Sequence, residues 1–377
     1  MELVRQPTKA LKQLTSQLGV AKAILSLAPS IFSGDEKALS DTKQILEHAP
    51  LLSLAGLERA FRSTTAHKRV KLSFQETTPS NLALLTDLKA NRSLALGLAS
   101  SSRDGYIREA ATKALATELD FHANAFLLLR LNDYIWQNQY AAEQALAERI
   151  LLLSPKEILE LLPLLMQAKN LIRSSHIQVV DRYIERLKSY PQSLERGIEH
   201  SDETVRQHTY HLLLEKKMEN EELAGLFRKA LCDPSPIIRL WAGQRVMDRH
   251  QTPTEVVYWM LSFLEESPSQ NLRLAALIKN RKLESWNKIL TAAFDHHAKV
   301  RFRARSYLGK TKRFVDYRQQ ALDRLTQESL NTNQLIGALA TLSDFAIEQD
   351  RMLIEPFAKD KRTRVRKEAK RTLSLIP

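Results

Sequence analysis

One pattern recurs along most of this chain, and it constrains the fold more than any other feature. An apolar residue precedes an arginine, a small residue stands three positions after that arginine, and an apolar residue stands seven after it. Ile107-Arg108 leads to Ala111 and Leu115, Val205-Arg206 to Thr209 and Leu213, and Ile238-Arg239 to Ala242 and Val246. Leu272-Arg273 leads to Ala276, Val300-Arg301 to Ala304 and Leu308, Val365-Arg366 to Ala369 and Leu373, and Ile172-Arg173 to Val180. Two weaker copies sit at Asn138-Gln139 (Ala142, Leu146) and Leu335 (Ala338, Leu342). The slots fall at 108, 139, 173, 206, 239, 273, 301, 335 and 366, a period of about 32 residues, which marks a repeat architecture.

Offsets of three and seven lie on one face of an α-helix, so this face packs inward. Alanine or threonine at the first offset admits a close helix neighbour. Six residues before the slot stands a residue of N-cap type, as at Asp133, Asp233, Ser267, Asp295 and Asp360, and helix starts are expected there. Pro234 and Pro268 follow two of these as first helical residues, and Ser267-Pro268-Ser269-Gln270 reads as a capping box. A second helix per repeat is expected between slots, capped at Ser154-Pro155-Lys156-Glu157 and Thr252-Pro253-Thr254-Glu255. A helix pair of this size cannot bury its apolar face alone, and stacking on neighbours supplies the core.

The pattern resembles the HEAT repeat family in its short, HEAT-like or PBS-lyase form. Asp295…Val300-Arg301…Ala304…Leu308 is similar to that family's second-helix signature, and Leu131-Asn132-Asp133-Tyr134 to its Asn-Asp-Trp entry. The resemblance covers about residues 100–377. It implies an all-α fold: a HEAT-like, armadillo-like right-handed α-solenoid of about nine repeats. It also implies that the slot arginines are structural, each pairing with an inter-helix aspartate.

Composition agrees with an all-helical chain, since 10 glycines and 13 prolines in 377 residues leave few turns for sheets. One cysteine, Cys232, excludes an internal disulfide and a thiolate zinc cluster. Residues 1–75 lack the slot and are expected to form an N-terminal helical cap or diverged subdomain, with the array at 76–377. The polar run from Ser63 to Ser80 reads as a loop. Met1 to Gly19 holds no signal-peptide apolar run. The uncharged stretch from Ala23 to Gly34 is shorter than the roughly 20 residues that span a bilayer. The expectation is a soluble, cytoplasmic chain with no membrane partner.

Charge is the sharpest functional signal. Residues 271–377 hold 23 lysines and arginines against 11 acidic residues, a net of +12, whereas residues 1–270 are nearly balanced at +1. Slot arginines, helix C-terminal cations and a polar terminal repeat absorb part of this excess. The partner- or phosphate-binding candidates that remain are Arg303, Arg305, Lys312, Arg313, Arg362, Arg364, Lys367, Lys370 and Arg371.

No catalytic, cofactor or metal set is expected. No histidine is followed by glutamate, which removes the iron-binding dyads of HEAT-repeat deoxyhypusine hydroxylases. His208 and His211 could share a helix face, with surface or packing roles the plainer account; His296-His297 read as helix-entry capping residues. Cys232 reads as a small buried apolar residue. HEAT-like alkylpurine DNA glycosylases use aromatic residues and a carboxylate on a basic face. Trp136, Trp241, Trp259, Trp286 and Tyr258 with Asp133 or Asp248 could supply these, but no family motif aligns and no catalytic residue carries over. The expectation is a non-catalytic scaffold holding a protein partner on its concave surface. The alternative is nucleic-acid backbone binding through residues 271–377.

Overall fold

In a computed structural model, residues 17–62, 79, 82–170, 177–248, 252–311, 315–327 and 330–376 are described. They contain 22 α-helices, two short 3-10 segments and no strand. The chain divides into two compact units, Met1–Lys216 and Lys217–Pro377.

The first unit opens with α1 (Gln17–Phe32), α2 (Glu36–Glu47), α3 (Ser53–Arg62) and the short α4 (Ala83–Thr86). Helix pairs follow: α5 (Arg92–Ala99) with α6 (Gly105–Leu115), α7 (Phe121–Arg130) with α8 (Trp136–Arg149), α9 (Pro155–Lys169) with α10 (Ile177–Lys188), and α11 (Pro191–Gly197) with α12 (Glu203–Leu214). First helices pack on the next first helix, α5 on α7 and α7 on α9, and second helices pack α6 on α8 and α8 on α10. Residues from 17–62 share this unit's core: Ile24, Leu25 and Leu57 join the cluster that holds Leu94, Leu98, Leu127 and Leu162.

The second unit pairs α13 (Asn220–Leu231) with α14 (Pro236–Met247), α15 (Thr254–Glu265) with α16 (Gln270–Lys282), α17 (Trp286–Ala292) with α18 (Ala298–Lys310), and α19 (Tyr317–Leu325) with α20 (Thr332–Phe345). After the short α21 (Arg351–Ile354) it closes on α22 (Thr363–Leu375). Again α14 packs on α16, α16 on α18, and α20 on α22.

The offset rule describes the buried faces: Ala111, Leu115, Ala142, Leu146, Ala242, Val246, Ala304, Ala338, Leu342 and Ala369 are all buried. The helix starts differ from the expectation. The second helices begin with caps four residues before the slot, at Asp104, Ile135, Asp202, Ser235, Ser269, His297 and Arg362. Asp133, Asp233, Ser267, Asp295 and Asp360 are therefore not caps. Their side chains accept the backbone N–H of the cap itself, at 3.0, 2.7, 3.2, 2.7 and 2.7 Å, which is the Asx- or Ser-turn geometry of the residue type. Ser102 and His200 do the same for Asp104 and Asp202.

Pro234 correspondingly lies in the turn, and Pro236 is the first-turn proline of α14. No capping box forms at Ser267, because α16 starts at Gln270. Ser154 and Glu157 do form one at α9. Thr252 instead donates its hydroxyl to the Arg245 carbonyl, and α15 starts at Thr254. The Arg173 slot lies outside the described residues, as does the run at 63–78.

Candidate functional site

The slot residue completes the turn. Arg108, Arg206, Arg239, Arg273, Arg301 and Arg366 each donate through Nη1 to the carbonyl six residues earlier, at 2.6–2.9 Å. Gln139, the degraded copy, donates to the Asp133 carbonyl in the same way. The residue at minus six is thus held at both its backbone and its side chain. Two arginines also reach forward to the aspartate of the following turn, Arg108 to Asp133 at 2.7 Å and Arg273 to Asp295 at 2.7 Å. Their guanidinium chemistry is spent inside the fold.

Asp133 shows how completely. Its side chain is 0% exposed and accepts from Arg108, Arg62 (3.2 Å) and Arg130 (3.3 Å), while Glu58 pairs with Arg62 and Arg130. Burial alone would raise its pKa, but Arg130, the Ile135 N–H and Arg108 prevail and hold it below the ordinary carboxylate value. A carboxylate so enclosed offers nothing to a nucleotide.

The C-terminal cations divide into spent and available. Residues 301–308 put Arg303 and Arg305 two apart, hence on different helix faces. Arg305 turns inward and is 9% exposed, with Nη1 on Asp344 at 2.8 Å, Nη2 on Thr341 at 2.9 Å and Nε on the Ala293 carbonyl. The rings of Tyr317 and Phe345 each lie 5.0 Å from it. Arg362 makes a fork on Asp360, at 2.9 and 2.7 Å, which drives that carboxyl down to about 2. Arg371 faces Glu368 at 3.3 Å and stays 64% exposed.

Arg303, Arg364, Lys367 and Lys370 are exposed and make no ion pair among the described residues. Arg303 rests on the Tyr307 ring. Lys299, in the first turn of α18, is equally exposed and joins them. Lys312 and Arg313 lie outside the described residues.

These cations sit on α18 and α22, which flank α20. Arg305 reaches α20 through Thr341 and Asp344, and Thr372 of α22 donates to the Leu339 carbonyl of α20 at 3.0 Å. Helix α20 carries no lysine or arginine, and its Leu335–Leu342 run is buried throughout. Gly337 lets α20 lie against the turn that leads into α18, since a Cβ there would collide with the Phe294 carbonyl oxygen. The charge of Arg364 is felt at His296, whose pKa is lowered by burial, then Arg273, with Arg364 adding to it against Asp295. The start of α22 therefore lies within electrostatic reach of the turn that leads into α18.

Other sequence candidates are placed as follows. His208 and His211 have ring centroids 6.2 Å apart, and no group of three His, Cys, Asp or Glu that could hold a metal occurs among the described residues. Cys232 is exposed rather than buried, because it caps the C-terminus of α13 instead of lying on its packed face. Trp136 is exposed in the first unit beside Tyr140, while Trp241, Trp259, Trp286 and Asp248 belong to the second. No described helix is long and apolar enough to cross a membrane.

No family model matches the chain. No curated protein matches it either. Among solved structures, a crystal structure of an engineered protein aligns with 97% of this chain and 98% of its own, at 17% identity and a TM-score of 0.23. That likeness carries neither fold nor function to this chain.

Proposed function

We propose that the chain is a HEAT-like α-solenoid of about nine repeats that acts by binding and not by catalysis, holding an acidic protein partner against the face of its C-terminal second helices. One observation carries this reading: Lys299, Arg303, Arg364, Lys367 and Lys370 remain exposed without ion pairs, while neighbouring arginines are consumed by turns and helix contacts. These five make no ion pair among the described residues, and an electropositive surface gathers an acidic partner by long-range attraction.

The same cations suit a second reading, nucleic-acid backbone binding, because α18 and α22 both start within this surface and helix N-termini favour phosphate oxygens. The two readings separate in a salt series. Phosphate neutralisation makes log affinity fall linearly and steeply with log salt, about 0.9 per neutralised phosphate on duplex DNA. The test measures duplex and single-strand shifts from low to physiological salt beside cross-linking to cellular proteins. Arg303, Arg364, Lys367 and Lys370 changed together to glutamate should abolish whichever binding is found, with helical content intact. Binding that survives the four changes contradicts both readings.

A further inference from the structure

The first unit carries a group of exposed rings that neither its packing nor the basic surface uses. Tyr106 is 88% exposed, Trp136 66%, Tyr134 62% and Tyr140 53%. We propose that they form a docking ridge for a proline-rich segment of a partner protein, held in the polyproline II conformation across α6 and α8. The proposal goes beyond the basic-surface reading and concerns the other unit.

The fold puts these rings side by side. Helices α6 and α8 pack on one another, and they meet at the ends that bear the rings. Ile135 Cδ1 lies 3.0 Å from the place of a Cβ on Gly105, and these two residues directly precede Trp136 and Tyr106. Tyr140 stands one turn beyond Trp136, with ring centroids 6.4 Å apart. Tyr134 lies against α6, where the buried Arg108 guanidinium is 4.7 Å from its ring centre. Stacking of repeats does not call for such rings. At the position of Tyr106 relative to the slot, other second helices carry Thr204, Asn271 and Lys299; at that of Trp136 they carry Glu203, Gln270 and Ala298. Clustered, exposed tyrosine and tryptophan are the side chains that anchor partners.

Three features select the occupant. The first is charge. On α6 and α8, Arg108 and Arg149 are buried and Lys113 is held on Glu109 at 2.6 Å, whereas Asp104, Glu143 and Glu148 are not buried. A phosphate backbone is bound through lysine and arginine, so this surface suits a neutral or basic segment instead. The second is hydrogen bonding. The Tyr106 and Tyr140 hydroxyls and the Trp136 indole N–H make no hydrogen bond among the described residues, and each can donate to a carbonyl. A helix surface has no free backbone edge to pair with a strand, whereas polyproline II needs none and leaves its carbonyls open. The third is spacing. Packed helices lie about 8–10 Å apart, and one polyproline II turn of three residues advances about 9 Å. Prolines three apart therefore rest on rings of successive helices, as they do in aromatic grooves that take such segments.

The test is affinity selection by the full chain from three isotope-marked pools of dodecapeptides. One has prolines fixed three apart, one has them two apart, and one has alanine at both positions; all other positions are randomised without proline. The first pool should be enriched about tenfold or more over each of the others, with lysine and arginine favoured over aspartate and glutamate at the free positions. Tyr106→Ala and Trp136→Ala should each remove that enrichment while circular dichroism and melting temperature stay unchanged, because both side chains are exposed. Tyr106→Phe keeps the ring and loses the donor, and should remove only part of it. The fourfold glutamate variant of the second unit should retain the enrichment, so this proposal and the basic-surface reading fail separately. Equal retention of the pools, no retention of any, indifference to Tyr106 and Trp136, or capture of single-stranded oligothymidine in preference to the peptides would overturn it.

Discussion

Replacing Asp133 by alanine tests the clasp that ties α3, α6, α7 and α8 together. The carboxylate is fully buried, is the shared acceptor of Arg62, Arg108 and Arg130, and also accepts the Ile135 N–H at 3.0 Å. Its removal leaves three guanidinium groups with Glu58 as their remaining carboxylate among the described residues. Removing one partner of a buried ion pair costs about 3–5 kcal/mol, because the remaining charge keeps its desolvation penalty. Native-state hydrogen exchange read by mass spectrometry resolves that loss locally. Peptides from α6 to α8 should exchange about 10²–10⁴-fold faster, at roughly 1.4 kcal/mol per tenfold, while peptides from α18 to α22 serve as the internal reference.

The pH dependence has a definite sign. A carboxyl whose folded pKa lies below its unfolded value of 3.8 stabilises fully above that value and loses its contribution as pH falls through the folded one. The difference between wild type and variant should therefore persist at neutral pH and shrink only below 3.8. A change smaller than tenfold in α6–α8, or an equal change in α18–α22, would refute the assignment of a clasp.

Other perturbations follow from particular contacts. Gly337→Ala should destabilise the second unit by about 3 kcal/mol, the upper range of overpacking, because its Cβ collides with a backbone carbonyl. Gly225→Ala, whose Cβ meets nothing within 4 Å, should instead stabilise by about 0.5–1 kcal/mol in denaturant titration. His208 is held at a pKa of about 4, first by burial and then by His211. The unfolded chain takes up that proton from about 6.5 downward, so the first unit should lose stability between those values. His208→Gln should flatten the dependence, and an unchanged melting profile would contradict it.

Much of this architecture was legible in the order of residues, and the failures have physical causes. The offsets of three and seven report a buried helix face directly, so Ala111, Ala242 and Ala304 fall where the spacing requires. The helix starts were misplaced by two residues because an aspartate that accepts from the cap has the same composition signature as an aspartate that is the cap. Arg303 and Arg305 look alike in a charge count. Only the neighbouring α20, with Thr341 and Asp344, decides that one is consumed and the other exposed. A pocket of about 460 Å³ in the first unit, lined in part by Arg59, Asn132 and Gln167, had no linear signal at all, since these residues stand far apart in sequence and meet only through helix packing.

The most direct test of the binding account is a photoactivatable cross-linking residue at Ser306, exposed on α18 between the available cations, activated in living cells and followed by mass spectrometry. A discrete adduct with an acidic protein, lost when Arg303, Arg364, Lys367 and Lys370 become glutamate, is the predicted result. No adduct at all, or one indifferent to those four charges, would contradict it.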